Sequence, residues 1–209
     1  MKEFWNSEIT NASWVKLQEI SKEFEFTLIG GWAVYLYTKL QKSKDIDIVI
    51  DYTVLRTLES RYRIDKNERL RKYEIKGGLF DIDVYLPGYS DLALPAKDLL
   101  GKYRTRVEGF SVPVPEALVL LKLGAASDRL TSQKGDKDAI DILGLLFYSG
   151  IDMGKLRDIA ERHNLLQHIL LLRNVLKDFR QENFVYLNLN AASFSKLKRK
   201  YAEVIEKNL

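Results

Sequence analysis

Apolar residues return every three to four positions between Glu8 and Phe24, with Trp14, Leu17, Ile20 and Phe24 on one stripe, which predicts an amphipathic helix lying on a sheet. The period then changes. Phe26 to Ile29 is a short β-prone run that stops at Gly30-Gly31, and helical spacing resumes from Trp32 to Leu40, so a strand, a tight glycine turn and a helix are expected. Asp45-Ile46-Asp47-Ile48 alternates polar and apolar, as a strand with one wet face does, and Asp45 and Asp47 then project from the same side. Val54 to Arg61 predicts a short helix. Residues 71–76 and 79–86 read as strands around Gly77-Gly78, the second ended by Pro87-Gly88.

From Ser90 to Val114 the periodicity is broken by Pro95 and Pro113, with a small hairpin over 104–107 and 110–112 around Gly109. A boundary placed there divides the chain into segments 1–112 and 113–209. Past Pro115 the helical period returns, predicting helices over 116–126, 137–148, 153–163, 165–179 and 193–207, a helical bundle. There is no internal repeat and no low-complexity linker, so the two segments are expected to share an interface.

Composition narrows the chemistry. With 46% hydrophobic and 30% charged residues, the 209-residue chain has the make-up of a folded protein. It has no cysteine, which excludes a disulfide framework, a thiolate zinc site and a cysteine nucleophile. Met1 to Trp5 has no charged-then-apolar leader and no run is long enough to span a bilayer, so a cytoplasmic protein without a membrane partner is expected. The net charge of +4 permits a nucleic-acid partner without requiring one, and Lys196 to Lys200 reads as a solvated helix face. His163 and His168, five apart, are out of step with paired helical metal ligands and read as helix-surface or core residues; Trp14, Tyr35 and Tyr37 read as core or interface aromatics.

The acids carry more information. Gly30-Gly31, thirteen intervening residues, Asp45-Ile46-Asp47 and a later strand bearing Asp81 and Asp83 follow one another in order. Two carboxylates two residues apart on a strand repel at short range unless cations neutralise them, and hard oxygen ligands suit magnesium or manganese. This arrangement resembles the polymerase-beta-like nucleotidyltransferase superfamily, which includes DNA polymerase beta and the aminoglycoside nucleotidyltransferases. Ile29-Gly30-Gly31, Asp45-Ile46-Asp47-Ile48 and Ile82-Asp83-Val84 match its three motifs. The resemblance implies an α+β nucleotidyltransferase fold, a small mixed β-sheet flanked by helices, followed by the C-terminal helical bundle. Asp45, Asp47 and Asp83, with Asp81 as alternate, would be the metal-binding and catalytic acids for two Mg2+ or Mn2+ ions. Gly30 and Gly31, with Trp32 as a further candidate, would bind the nucleotide, whose phosphates approach a backbone without Cβ atoms at a helix N-terminus.

Leu121-Lys122-Leu123, Asp128-Arg129 and Lys137-Asp138-Ala139-Ile140-Asp141 are similar to the helical region of nucleotidyltransferases related to the abortive-infection AbiEii toxins. By that resemblance Lys137 contacts nucleotide phosphate, Arg129 assists, and Asp138 or Asp141 orients them. One helical turn also lets Lys137 and Asp141 form a surface salt bridge and nothing more. The implied reaction moves a nucleoside monophosphate from a nucleoside triphosphate to an acceptor hydroxyl with release of pyrophosphate. The acceptor is tRNA or another RNA, as for a toxin, or a small molecule. The alternative is a non-catalytic nucleotide-binding regulatory or antitoxin-like module of the same fold.

Overall fold

A computed structural model of the chain describes residues 2–127 and 133–208. The first helix, α1 (Ser7–Glu23), starts where the Asn6 side chain accepts from the backbone N–H of Glu8, and it buries Leu17 and Ile20 in the core. After β1 (Thr27–Ile29) the chain enters α2 (Gly30–Thr38) without a turn between. The glycines expected as a tight turn are therefore the first residues of the helix. Next come β2 (Ile46–Val49), α3 (Tyr52–Glu59), β3 (Asp65–Asn67), β4 (Lys72–Lys76), β5 (Asp81–Tyr85) and α4 (Ala96–Leu100). The Asp51 carboxylate caps α3 by accepting from the backbone N–H groups of Thr53 and Val54.

These strands form one five-stranded sheet in the order β1-β2-β5-β4-β3. Only β2 and β5 run parallel; the other neighbours are antiparallel, so the sheet is mixed. The parallel register sets Ile46 beside Ile82 and Asp47 beside Asp83. Since strand side chains alternate, the apolar pairs enter the core while the acidic pair stands on the opposite face. The hairpin β6 (Arg104–Val107) and β7 (Phe110–Pro113) forms separately and packs on β1.

Proline at the first position of α5 (Pro115–Ala126) fits a site whose N–H has no helical partner. Ala117, Leu118, Val119, Leu120 and Leu123 are all fully buried, so most of α5 is enclosed by its neighbours. Against it pack α6 (Gln133–Tyr148), α7 (Met153–Arg162) and α8 (Leu166–Asp178), while a 3-10 helix over Gln181–Leu187 packs on α6, and α9 (Ala191–Glu206) packs on α8 and the 3-10 helix. Buried Glu116 joins α5 to the start of α7 by accepting from the Asp152 N–H at 3.0 Å. The second segment meets the first where α5 and α6 pack on α2. Among the described residues no helix is long and apolar enough to cross a membrane.

Candidate active site

Between the polar face of the sheet and helices α5 and α6 lies a cavity of about 700 Å³. Its lining includes Gly30, Gly31, Asp45, Asp47, Asp83, Lys137, Asp138 and Asp141, residues drawn from both segments of the chain. Arg129 and Asp128 lie outside the described residues.

Each acid reaches the cavity for a local reason. Asp47 and Asp83 are register partners on the two parallel strands. Asp45 sits just before β2, and its Oδ1 accepts from the Asp81 N–H at 3.2 Å, which ties the approach to β2 to the start of β5. The Asp81 carboxylate pairs at 3.3 Å with Lys76, and its side chain is not part of the cavity lining, whereas that of Asp83 is. Burial pushes the Asp47 carboxyl up to about 6, aided by the charges of Asp83 and Asp45 and opposed by Lys122 and Lys72. Burial also raises Asp83, with Lys72 acting in the other direction.

Lys72 is a member of this cluster that periodicity could not reveal. Its Nζ lies 2.5 Å from Asp83 Oδ2 and 3.0 Å from Glu74 Oε1, with little of any of the three side chains exposed. Glu74 is the register partner of Asp83 on β4, so Asp47, Asp83 and Glu74 form a row of acids across three strands. A hydrogen bond from Lys76, and others from Lys72 and Asn67, hold the Glu74 carboxyl down at about 2 despite its burial.

The oxygens suit a hard divalent ion in kind, and a cation would offset both the burial of the Asp47 charge and its repulsion by Asp83 and Asp45. As they stand, no three imidazole or carboxylate groups among the described residues are closed around one point. Lys72 engages Asp83, and the Tyr85 hydroxyl donates to Asp47 Oδ1 at 3.4 Å.

The glycines make room chiefly for side chains of the chain itself. Gly30 has φ +66°, and a Cβ there would lie 2.1 Å from Asp47 Oδ2; one on Gly31 would lie 2.6 Å from Ser43 Oγ. Gly30→Ala therefore meets both a left-handed backbone and a clash, and is expected to cost at least about 2 kcal/mol in urea unfolding. A loss below 0.5 kcal/mol would show that the Asp47 carboxylate can move aside. Trp32 is 1% exposed, donates its indole N–H to Ser13 Oγ and packs on Trp14. It is a core residue and does not line the cavity.

Across the cavity, Lys137 and Asp141 do pair, at 2.5 Å, but they are 7% and 2% exposed, not the surface pair one helical turn alone suggested. Lys122 from α5 joins them, 2.8 Å from Asp141 Oδ2 and 3.4 Å from Asp138 Oδ1. Burial works against the charge of Lys122, but Asp141, Asp138 and the more distant Asp47 outweigh it and raise its pKa. Burial lowers that of Lys137, with Asp141 opposing and Lys122 reinforcing. Lys122 belongs to the Leu121-Lys122-Leu123 motif, but spacing along the chain does not give its partners on α6. His168, expected on a helix surface or in the core, sits on α8 and lines the cavity, with its Nδ1 buried and without a hydrogen-bond partner among the described residues. Burial holds the ring below its ordinary pKa, so it is neutral at pH 7. His163 instead bonds through Nε2 to the Tyr103 hydroxyl at 2.8 Å, away from the cavity.

No family model matches the chain, and no curated protein does. Solved structures do. JHP933 from Helicobacter pylori superposes with a TM-score of 0.54 at 16% identity, covering 97% of this chain and 96% of that one. Another Helicobacter pylori structure, of a protein assigned by inference as a nucleotidyltransferase, gives 0.53 at 14% identity over 97% of this chain and 98% of that one. At such identities the likeness concerns the fold, and the chain has an α+β, nucleotidyltransferase-like fold with a helical C-terminal region.

Proposed function

We propose that this protein transfers a nucleoside monophosphate from a nucleoside triphosphate to an acceptor hydroxyl, releasing pyrophosphate. The observation that carries the reading is the meeting of Asp45, Asp47 and Asp83 on one wall of a cavity whose opposite wall holds Lys122 and Lys137. Phosphoryl transfer asks a protein mainly for positioning and charge stabilisation. In this reading Asp45 and Asp47 would hold Mg2+ or Mn2+, and Asp83 would share in that binding and take the proton of the acceptor hydroxyl. Two such ions, when bound, would neutralise the charge on the transferring phosphoryl group and on the oxygens it leaves and joins. Lys137, with Arg129 assisting, faces the triphosphate, and Asp141 fixes the angle of Lys137. The likeness of α6 to the AbiEii toxins makes tRNA or another RNA the first acceptor to test, and a cytoplasmic toxin-type enzyme the physiological setting; a small molecule is the second acceptor.

The contact of Lys72 with Asp83 favours one other reading, a nucleotide-binding module without turnover, because an ammonium already occupies the acid that would take the proton. The two readings separate in one experiment. Each α-labelled nucleoside triphosphate is incubated with Mg2+ or Mn2+ and either tRNA or a low-mass cell extract, using wild type and Asp45→Ala/Asp47→Ala. The expected result is label on one acceptor class with pyrophosphate released, both lost in the variant. Nucleotide binding without pyrophosphate release across both acceptor sets would favour the non-catalytic module, and label transfer surviving in the variant would remove the acids from the mechanism.

A further inference from the structure

The amino-terminal segment ahead of α1 is fastened to the rest of the protein by a buried side chain. Gln41, 2% exposed, accepts from the Phe4 N–H at 2.9 Å through its Oε1, while its amide nitrogen donates to the carbonyls of Lys2 and Tyr186, each at 3.0 Å. One buried amide thus joins this segment, the loop before β2 and the 3-10 helix. Phe4 packs edge-on against Tyr186 at 5.3 Å and against Trp5 at 5.0 Å with an interplanar angle of 80°. The indole that these contacts position is only half-buried, and it lines the cavity together with Gly30, Gly31, Ser43 and Lys44. The other two tryptophans, Trp14 and Trp32, pack on each other instead. An edge-to-face neighbour covers at most one face of an indole, and an aromatic face beside a phosphate-binding wall is a stacking surface for a nucleobase.

We infer that Trp5 is the base platform of this cavity, stacking on the nucleobase of a bound nucleoside triphosphate, with the Gln41 amide as its positioning residue. The inference rests on the reading of the cavity as a nucleotide site. Stacking uses the π-face that all bases share, so the platform selects for an aromatic base and discriminates little among bases.

The test measures by calorimetry the binding of two probes with Mg2+, the α,β-methylene analogue of ATP and inorganic triphosphate, to wild type, Trp5→Ala and Trp5→Phe. Trp5→Ala is expected to weaken the analogue about tenfold while leaving inorganic triphosphate within twofold, and Trp5→Phe to restore most of the loss. Retained triphosphate binding shows that the variant is folded. Unchanged affinity of Trp5→Ala for the analogue, or equal weakening of both probes, would overturn the platform. Wild type binding neither probe would overturn the nucleotide reading itself, and the platform with it. Wild type binding inorganic triphosphate no more weakly than the analogue would overturn the platform alone.

Discussion

Asp47→Asn is expected to abolish nucleotidyl transfer and, with metal removed, to make the protein more stable at pH 8. The two effects have one cause. The folded chain keeps the proton on Asp47 up to about pH 6, chiefly because of burial and the neighbouring Asp83, whereas the unfolded chain releases it near 3.8. Between those values the folded state binds more protons than the unfolded one, so stability falls as pH rises. The burden is absent below the lower value, complete above the upper, and on the order of 2 kcal/mol for a group that keeps some contact with water. Asparagine removes the charge with little change of shape. Urea unfolding in chelator should show the variant ahead of wild type at pH 8 and level with it near pH 4. Millimolar Mg2+ should stabilise wild type more than the variant, and transfer should drop by about three orders of magnitude. A variant less stable than wild type at pH 8 in chelator would mean that the charge of Asp47 is already compensated within the protein.

That behaviour follows from a register the sequence shows only in part. The alternation Asp45-Ile46-Asp47-Ile48 marks a strand with an acidic face, and Ile82-Asp83-Val84 marks another, because period-two patterning is local. Their pairing in parallel, with Asp47 opposite Asp83, brings together residues thirty-six apart and is not written in either run. The same holds for the helices. Those of the second segment were legible within a few residues because each carries its own apolar stripe. The strand β3, Asp-Lys-Asn, has no apolar residue and is defined by pairing with β4, so it gives no signal of its own. The five-residue α4 and the 3-10 helix are too short for a 3.6-residue period to show.

The site was legible where one motif carried it and illegible where distant pieces meet. Gly30 and Gly31 stand out as a pair, yet the reason for glycine there is the space taken by Asp47 and Ser43, which lie over ten residues away. Lys72 reads as an alternating strand lysine until β4 is laid beside β5. Trp5 precedes every regular element, and only the Gln41 contacts reveal that its position is fixed. His168 has ordinary helical spacing; its relevance comes from α8 passing the cavity beside Gly124, where a Cβ would lie 2.6 Å from that of Ala93 and 3.4 Å from His168 Nε2.

Asp141→Ala is expected to be the most destabilising single charge removal among the described residues. Asp141 is 2% exposed and is the anion shared by two buried ammonium groups, Lys122 at 2.8 Å and Lys137 at 2.5 Å. Removing one partner of a buried pair leaves the desolvation cost of the other uncompensated, about 3–5 kcal/mol. Lys137→Met leaves Asp141 paired with Lys122 and substitutes an apolar chain of similar length, so it should cost about 1–2 kcal/mol. The pH dependence separates this account from a simple packing loss. Burial already holds the pKa of Lys137 below 10.5, and loss of Asp141 removes the main attraction opposing that shift. For a lysine depressed in the folded state, the unfolded chain binds the extra proton, so stability rises with pH through the interval between the two values. The deficit of Asp141→Ala in urea unfolding should therefore shrink between pH 7 and pH 9.5, while that of Lys137→Met, which lacks the titrating amine, does not shrink. Equal deficits for the two variants, or a deficit for Asp141→Ala that does not change with pH, would show that water reaches these lysines in the folded protein and that the wall opposite the acids is wetter than its burial indicates.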